Sequence, residues 1–182
     1  RDDVESRGLG DVYKRQGLAA PSGFGKTTFC KILAGYEQPD EGQVLLDGKP
    51  LSEYKGYCPV QLIWQHPQEA VNPRRKMKTV LEEGGVLDER LIHGLGIEKE
   101  WMERYPGELS GGELQRFCIA RALGEKTSFL LADEITAMLD LITQSQIWNF
   151  LLEEVRSREI GLLVVSHSEP LLQRICTGRI QL

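Results

Sequence analysis

Glycine, lysine and threonine stand together in Pro21-Ser-Gly-Phe-Gly-Lys-Thr-Thr28, a grouping suited to holding phosphate. Residues Ala20 to Thr27 nearly fit the pattern G-x-x-x-x-G-K-[ST]. In that pattern loop amides cradle phosphates, the lysine reaches the β- and γ-phosphates, and the hydroxyl that follows meets Mg2+. The candidate phosphate ligands are therefore Ser22, Gly23, Gly25, Lys26, Thr27 and Thr28, with Thr27 also a candidate Mg2+ ligand. Gly23 and Gly25 let the backbone come close to an anion, and a helix starting near Lys26 adds its positive end. Ala20 stands where the pattern has its first glycine. Taken alone, such a match also fits a chance glycine turn; the strand stub before it and the helix after it argue against that.

Leu131-Ala-Asp-Glu134 puts two carboxylates at the mouth of an apolar run, where ionised groups are costly unless they face a ligand, a metal or water. Asp133 is placed to hold Mg2+ and Glu134 to take the proton of an attacking water. The plainer reading is two acids fraying a strand end into a turn. Leu109-Ser-Gly-Gly-Glu113 opens a helix in either of two ways. Ser110 and Glu113 have capping-box spacing, while Ser110 with the bare glycines Gly111 and Gly112 would present amides to an anion. Spacing does not choose between these, and both can hold. His167 follows the apolar run 162–165, and Gln65 ends a strand candidate, so both fall at strand ends where ligands of α/β sheets collect. A lone histidine is more often structural, and Gln65 taken singly carries no information.

The elements that must position these groups follow from periodicity. Phe29, Ile32 and Leu33 predict a helix closed by Gly35, and 43–46 with Asp47-Gly48 predicts the strand and turn of a small β arm. A strand is expected over 58–64. Residues 66–107 read as a helical insertion with segments at 76–83, 87–93 and 98–104. A helix over 113–123 would turn Leu114, Phe117, Cys118 and Ala122 to one side. The unbroken apolar runs 129–132 and 162–165 suit strands covered on both faces, as in a parallel sheet. Between them Leu141, Trp148, Leu151, Leu152 and Val155 form a helical stripe, so strand, helix and strand make a crossover and an α/β fold.

Composition excludes several classes. The chain has 182 residues, 41% hydrophobic and 27% charged, a size that suits one domain. Its apolar runs are far short of the roughly 20 residues that cross a bilayer. A net charge of -5 argues against binding dominated by a nucleic-acid backbone, so no nucleic-acid partner is expected. Arg74, Arg75, Lys76 and Lys78 form the dense basic run, read as a solvated face. Cys30, Cys58, Cys118 and Cys176 lack metal-ligand spacing and are expected as reduced thiols. Residues 1–16 show almost no apolar periodicity, and 11–16, DVYKRQ, resembles the translation of a tag used in preparing sequencing libraries. A non-native or disordered leader over 1–16 is therefore expected, with the domain running over 17–182, its core at 17–65 and 108–182, and the helical subdomain at 66–107.

Together PSGFGKTT, Gln65, LSGGELQR, LLADE and SHS, in this order, resemble the nucleotide-binding domain of an ABC-type ATPase. The resemblance implies a P-loop NTPase (RecA-like) α/β fold with a mostly parallel sheet, a small β arm and a helical insertion, bound to ATP and Mg2+. It implies Glu134, His167 and Gln65 as catalytic groups, and Thr27, Gln65 and Asp133 around Mg2+. It also implies a homo- or heterodimer in which Ser110, Gly111, Gly112 and Glu113 of one subunit close over the γ-phosphate held by Lys26 of the other, with Asp140 at the contact. Several positions depart from the family pattern: Ala20, Glu113 for the usual Gln, Ile135 for Pro, and Met138 for a small residue. None removes a catalytic group. The family's early strands and its adenine-stacking aromatic are expected to be missing, and Tyr13 is not given that role.

The run Gln65-His-Pro-Gln-Glu-Ala-Val-Asn-Pro-Arg-Arg75, with Arg104-Tyr-Pro-Gly-Glu108 before the signature, is similar to the dipeptide, oligopeptide and nickel importer subfamily. That similarity implies an ATP-hydrolysing importer subunit on the cytoplasmic side of a bacterial or archaeal membrane, working with a transmembrane permease and a solute-binding protein. The competing expectation is a soluble ABC ATPase in a non-transport complex; a third is a binding module that cannot complete its nucleotide site.

Overall fold

The computed structural model describes residues 15–19, 25–85 and 88–180. Two apolar runs do become central strands, β5 (Phe129–Asp133) and β6 (Gly161–Val165). With β1 (Arg15–Leu18), β4 (Val60–Ile63) and β7 (Gly178–Ile180) they form a five-stranded parallel sheet in the order β4-β5-β6-β1-β7. Alternate residues serve opposite faces. Leu130, Ala132, Leu162 and Val164 meet one apolar cluster, while Leu131, Leu163 and Val165 meet the other. Burial on both faces is why these strands read as continuous hydrophobic runs.

One face is covered by α1 (Lys26–Leu33) and by the arm made of β2 (Leu45–Leu46) and β3 (Lys49–Pro50). The arm turns at Asp47 and Gly48, both at positive φ (52° and 76°), as the mirror-image turn of a tight hairpin requires. Its strands are shorter than the predicted run. The other face carries α4 (Gly111–Ala122), α5 (Leu141–Ser157) and α6 (Glu169–Ile175). Leu114, Phe117, Cys118 and Ala122 are buried on α4 as expected. The insertion holds α2 (Met77–Glu83) and α3 (Glu89–Gly94), and Met77, Val80, Leu81, Leu91, Leu95 and Ile97 share one apolar cluster with α4.

Several expectations change. Arg15 and Gln16, assigned to the leader by composition, are the first two residues of β1 and pair with β6 and β7. Their backbone is in the ladder while their side chains stay half-buried, so polarity is no obstacle. The helical segment expected over 98–104 is present as a 3-10 helix, Lys99–Glu103. Leu141, the first residue of α5, is 80% exposed; Ile147 and Glu154 join Trp148, Leu151 and Val155 on the buried side instead. On α1 the buried residues are Lys26 and Cys30, while Phe29, Ile32 and Leu33 are half-buried. Helix α6 and strand β7, of seven and three residues, had no counterpart in the periodicity because each is too short to show one.

Two polar ties hold α5 to its surroundings. Glu154, with its side chain 1% exposed, is bound in bidentate fashion by Arg90 of α3, one arm of which is at 3.1 Å. Arg158 donates to the carbonyls of Leu123 and Gly124, both at 2.6 Å, and so closes the C-terminal end of α4. Truncating Arg90 to Leu would strand the Glu154 carboxylate; we expect a loss of about 2 kcal/mol in denaturant unfolding, less than for a fully buried pair because Arg90 is itself half in solvent.

All four cysteines are free. Burial, with some help from Asp133, pushes the Cys30 thiol up to about 12, and burial pushes Cys118 up to about 11 against a small opposing effect of Arg121. At pH 8 the thiolate fraction of Cys30 is then roughly one in ten thousand. Alkylation of the folded protein followed by mass spectrometry should mark half-buried Cys58 and Cys176 first. Cys30 and Cys118 should follow only on unfolding.

Candidate functional site

Strand register decides where the chemistry gathers. Leu18 lies level with Val165, Asp133 with Val165, and Ile63 with Ala132, so β1, β4, β5 and β6 stop along one edge of the sheet. That edge is the carboxyl end, where parallel α/β sheets leave a crevice. A cavity of about 420 Å³ lies there, lined by Gly25, Lys26, Thr27, Thr28, Gln65, Asp133, Glu134 and His167. Residues 40 to 140 positions apart in sequence thus meet in one place. Ser22 and Gly23 lie outside the described residues, as do Ala20 and Tyr13.

Gly25 caps α1 in the left-handed conformation (φ 74°, ψ 18°), which a residue with a Cβ adopts at a cost. Lacking a side chain, it leaves the first amides of α1 for an outside acceptor. Lys26, 8% exposed, brings its Nζ to 3.5 Å from His167 Nε2. Thr27 Oγ1 donates to Asp133 Oδ2 at 2.7 Å, and this carboxylate is 2% exposed.

Glu134 turns out of β5 at φ 50°, a left-handed conformation that costs a residue with a side chain ~1–3 kcal/mol. Its amide donates to the Val165 carbonyl at 3.0 Å, which pins the turn. The turn swings its carboxylate to 2.7 Å from His167 Nε2. At that distance the carboxylate accepts a hydrogen bond from the Nε2–H. The longer Lys26 approach to the same nitrogen is then a contact of charge with ring, not a hydrogen bond.

Among these residues are hard oxygen donors suited to Mg2+: the Thr27 hydroxyl, the Asp133 carboxylate and the Gln65 amide. Among the described residues no group of three or more His, Cys, Asp or Glu could cage a metal alone. A donor set this small fits a Mg2+ that takes its other ligands from phosphate and water.

The signature residues stand apart from this cavity. Ser110 caps α4, its Oγ accepting from the Glu113 amide at 3.3 Å while Glu113 Oε2 accepts from the Ser110 amide at 2.7 Å. The capping box is therefore real, and the carboxylate of Glu113 is engaged in it. A Cβ on Gly111 would meet nothing within 4 Å, whereas one on Gly112 would come to 3.0 Å from the Leu139 side chain. The start of α4 thus lies beside the turn that ends at Asp140. Asp140 caps α5, accepting from the amides of Ile142 and Thr143 at 3.0 Å each.

Thr136 was not singled out from the sequence. Its hydroxyl is buried and accepts from Gln144 Nε2 at 2.8 Å and Trp148 Nε1 at 3.0 Å. It ties the segment from Glu134 to Asp140 onto α5. The one available signal was a threonine and a tryptophan at positions able to pair across a turn.

A cavity at the carboxyl edge of a parallel sheet, with a glycine-capped helix and a Lys-Thr pair at its mouth, is the arrangement of the P-loop NTPase fold. Residues 13–137 match the model of the ABC transporter family, and the chain belongs to that family. It is 34% identical over 177 residues to the nickel import ATP-binding protein NikE of Rhodospirillum rubrum, an alignment covering 87% of this chain and 64% of that protein. It is 30% identical over 187 residues to the oligopeptide transport ATP-binding protein OppF of Streptococcus mutans, covering 91% and 59%. The chain thus spans less than two thirds of these relatives. Among solved structures, the dimeric bacterial ABC transporter cassette MJ0796 superposes with a TM-score of 0.76 at 25% identity, over 93% of this chain and 81% of that one.

Hydrogen bonds from Thr143, side chain first, and from the Ile142 amide hold the Asp140 carboxyl below the usual carboxylate range. A carboxylate so depressed stabilises the fold above its unfolded pKa of about 3.9, and that contribution fades as pH falls through the lower folded value. Asp140→Ala should therefore lower the thermal midpoint at pH 7. The gap from the unsubstituted chain should narrow below about pH 3.9; a constant gap would contradict the cap.

Proposed function

We propose that this chain is the ATP-binding, ATP-hydrolysing part of an ABC importer subunit. The observation that carries the reading is the convergence of Lys26, Thr27, Gln65, Asp133, Glu134 and His167 on one cavity at the sheet edge. The names of the relatives, nickel import and oligopeptide transport ATP-binding proteins, support import of small solutes.

In the mechanism the amides at the start of α1 and the Lys26 ammonium hold the β- and γ-phosphates. Thr27, Asp133 and Gln65 would hold Mg2+. A Mg2+ held there would supply positive charge to phosphate oxygens. Glu134 accepts the proton of the attacking water while its oxygen bonds to the γ-phosphorus and ADP leaves. His167, at 2.7 Å, keeps the Glu134 carboxylate facing the cavity. Half-buried, directed by a strained turn and paired with His167, Glu134 is held in place before the substrate arrives, which is where a general base contributes most.

Ser110, Gly111 and Gly112 lie outside the cavity of their own chain, and Gly111 is open to approach. This supports a head-to-tail dimer in which they close on the partner's γ-phosphate, with Asp140 near the contact. A second ATPase subunit, a transmembrane permease and a solute-binding protein are the partners proposed, at the cytoplasmic face of the membrane. None of the described helices is long and apolar enough to cross a membrane, so the permease would supply the span.

Glu134→Gln should retain ATP binding and lower kcat about 100-fold or more. Lys26→Ala should weaken ATP binding at least about tenfold, the loss of one charge-assisted contact. Calorimetric ATP titration and steady-state phosphate release measure both. Unchanged turnover in the first variant would eliminate Glu134 as base, and full-strength binding in the second would contradict the phosphate site.

A further inference from the structure

Gln115 sits on α4 one turn and a half beyond the Ser110 cap and is 3% exposed. Its Nε2 donates to the backbone carbonyl of Trp64 at 3.2 Å. Its Oε1 is buried and finds no hydrogen-bond partner among the described residues. A buried, half-satisfied amide is costly where a leucine or methionine of similar size would fill the space without penalty. The retained group therefore calls for a role.

Trp64 explains what that role can be. Strand β4 ends at Ile63, so the Trp64 carbonyl has left the sheet ladder and needs a donor from elsewhere. Gln115 provides it. The Trp64 ring is held from the opposite side, with Tyr36 edge-on at 5.3 Å and Lys31 Nζ at 5.3 Å from its centroid. Gln65 is the next residue, and its side chain lines the phosphate cavity. Its direction is thus fixed by two grips on Trp64, one from the end of α1 and one from α4.

We propose that Gln115 is a positioning residue for Gln65, linking the signature helix α4 to the Mg2+ and water side of the phosphate cavity through the Trp64 carbonyl. The proposal rests on the function proposed above. In the dimer, α4 carries Ser110 to the partner's nucleotide, so the Gln115 bond transmits the position of that helix to the chain's own site. The free Oε1 lets the amide shift without breaking a second bond.

The test is a double-mutant cycle on the full 182-residue chain. Gln115→Met keeps shape and removes the donor; Gln115→Glu keeps length and removes the donor, and serves if the first variant folds poorly. Each should lower kcat about tenfold, raise the Mg2+ concentration for half-maximal hydrolysis about threefold, and leave ATP affinity without Mg2+ within about twofold. In a Gln65→Ala background either substitution should have almost no further effect, because residues acting as one unit are not additive. A purely structural role would instead lower the thermal midpoint and multiply with Gln65→Ala. Hydrolysis abolished by Glu134→Gln, but with multiplicative Gln115 and Gln65 effects or with unchanged kcat in the Gln115 variants, overturns this proposal alone. Absence of any Glu134-dependent hydrolysis in the unsubstituted chain overturns the function and this proposal together.

Discussion

A single hydrogen bond, from the Thr27 hydroxyl to the Asp133 carboxylate at 2.7 Å, joins the two halves of the site. Asp133 stands at the end of β5, a strand buried on both faces, almost without solvent, and an ionised group there is tolerable only with a partner. Thr27 supplies that partner from the first turn of α1, which fixes the helix start, and hence Lys26, against the sheet edge. The α1 side of the fold then has little freedom. Cys30, one turn further on, packs beneath the sheet near enough to feel the Asp133 charge. Gly17 of β1, on the opposite face, is so close to α6 that a Cβ would come to 3.2 Å from Cys176 and 3.3 Å from Leu172.

The second constraint is the level register of the strand ends. Because β4, β5 and β6 stop together, the next residues of each chain segment enter one crevice: Gln65 after β4, Glu134 after β5 and His167 after β6. A one-residue slip in any pair would turn the apolar set on that strand to the wrong face as well as displace the cavity residue that follows it. Packing and chemistry are therefore enforced by the same register.

Much of this was legible in the sequence. The buried strands, α4 and the group at the cavity were visible because each rests on strong local signals: unbroken apolar runs, a capping box, a glycine-lysine loop. What escaped rests on contacts between distant segments. Leu141 fits an apolar stripe by spacing, yet as the first residue of α5 it is left 80% exposed. Arg15 and Gln16 look like leader, yet their backbone pairs on both sides. Glu154 reads as a surface acid, and only Arg90, 64 residues away, lets it be buried. Gln115 stands inside the LSGGELQR run, but nothing in that run shows that its partner is the Trp64 carbonyl at the end of β4, and the buried pairing of Thr136 becomes visible only once α5 is in place.

The left-handed backbone at Glu134 has a consequence for protein engineering. Glycine or asparagine would sit at that φ with less strain, so a screen rewarding heat resistance alone has a ready gain at this position. The same change would delete the carboxylate that pairs with His167 in the cavity, the group proposed above as the general base. Resistance to heat and turnover pull residue 134 in opposite directions, and a library selected for only one of them would drift away from the other.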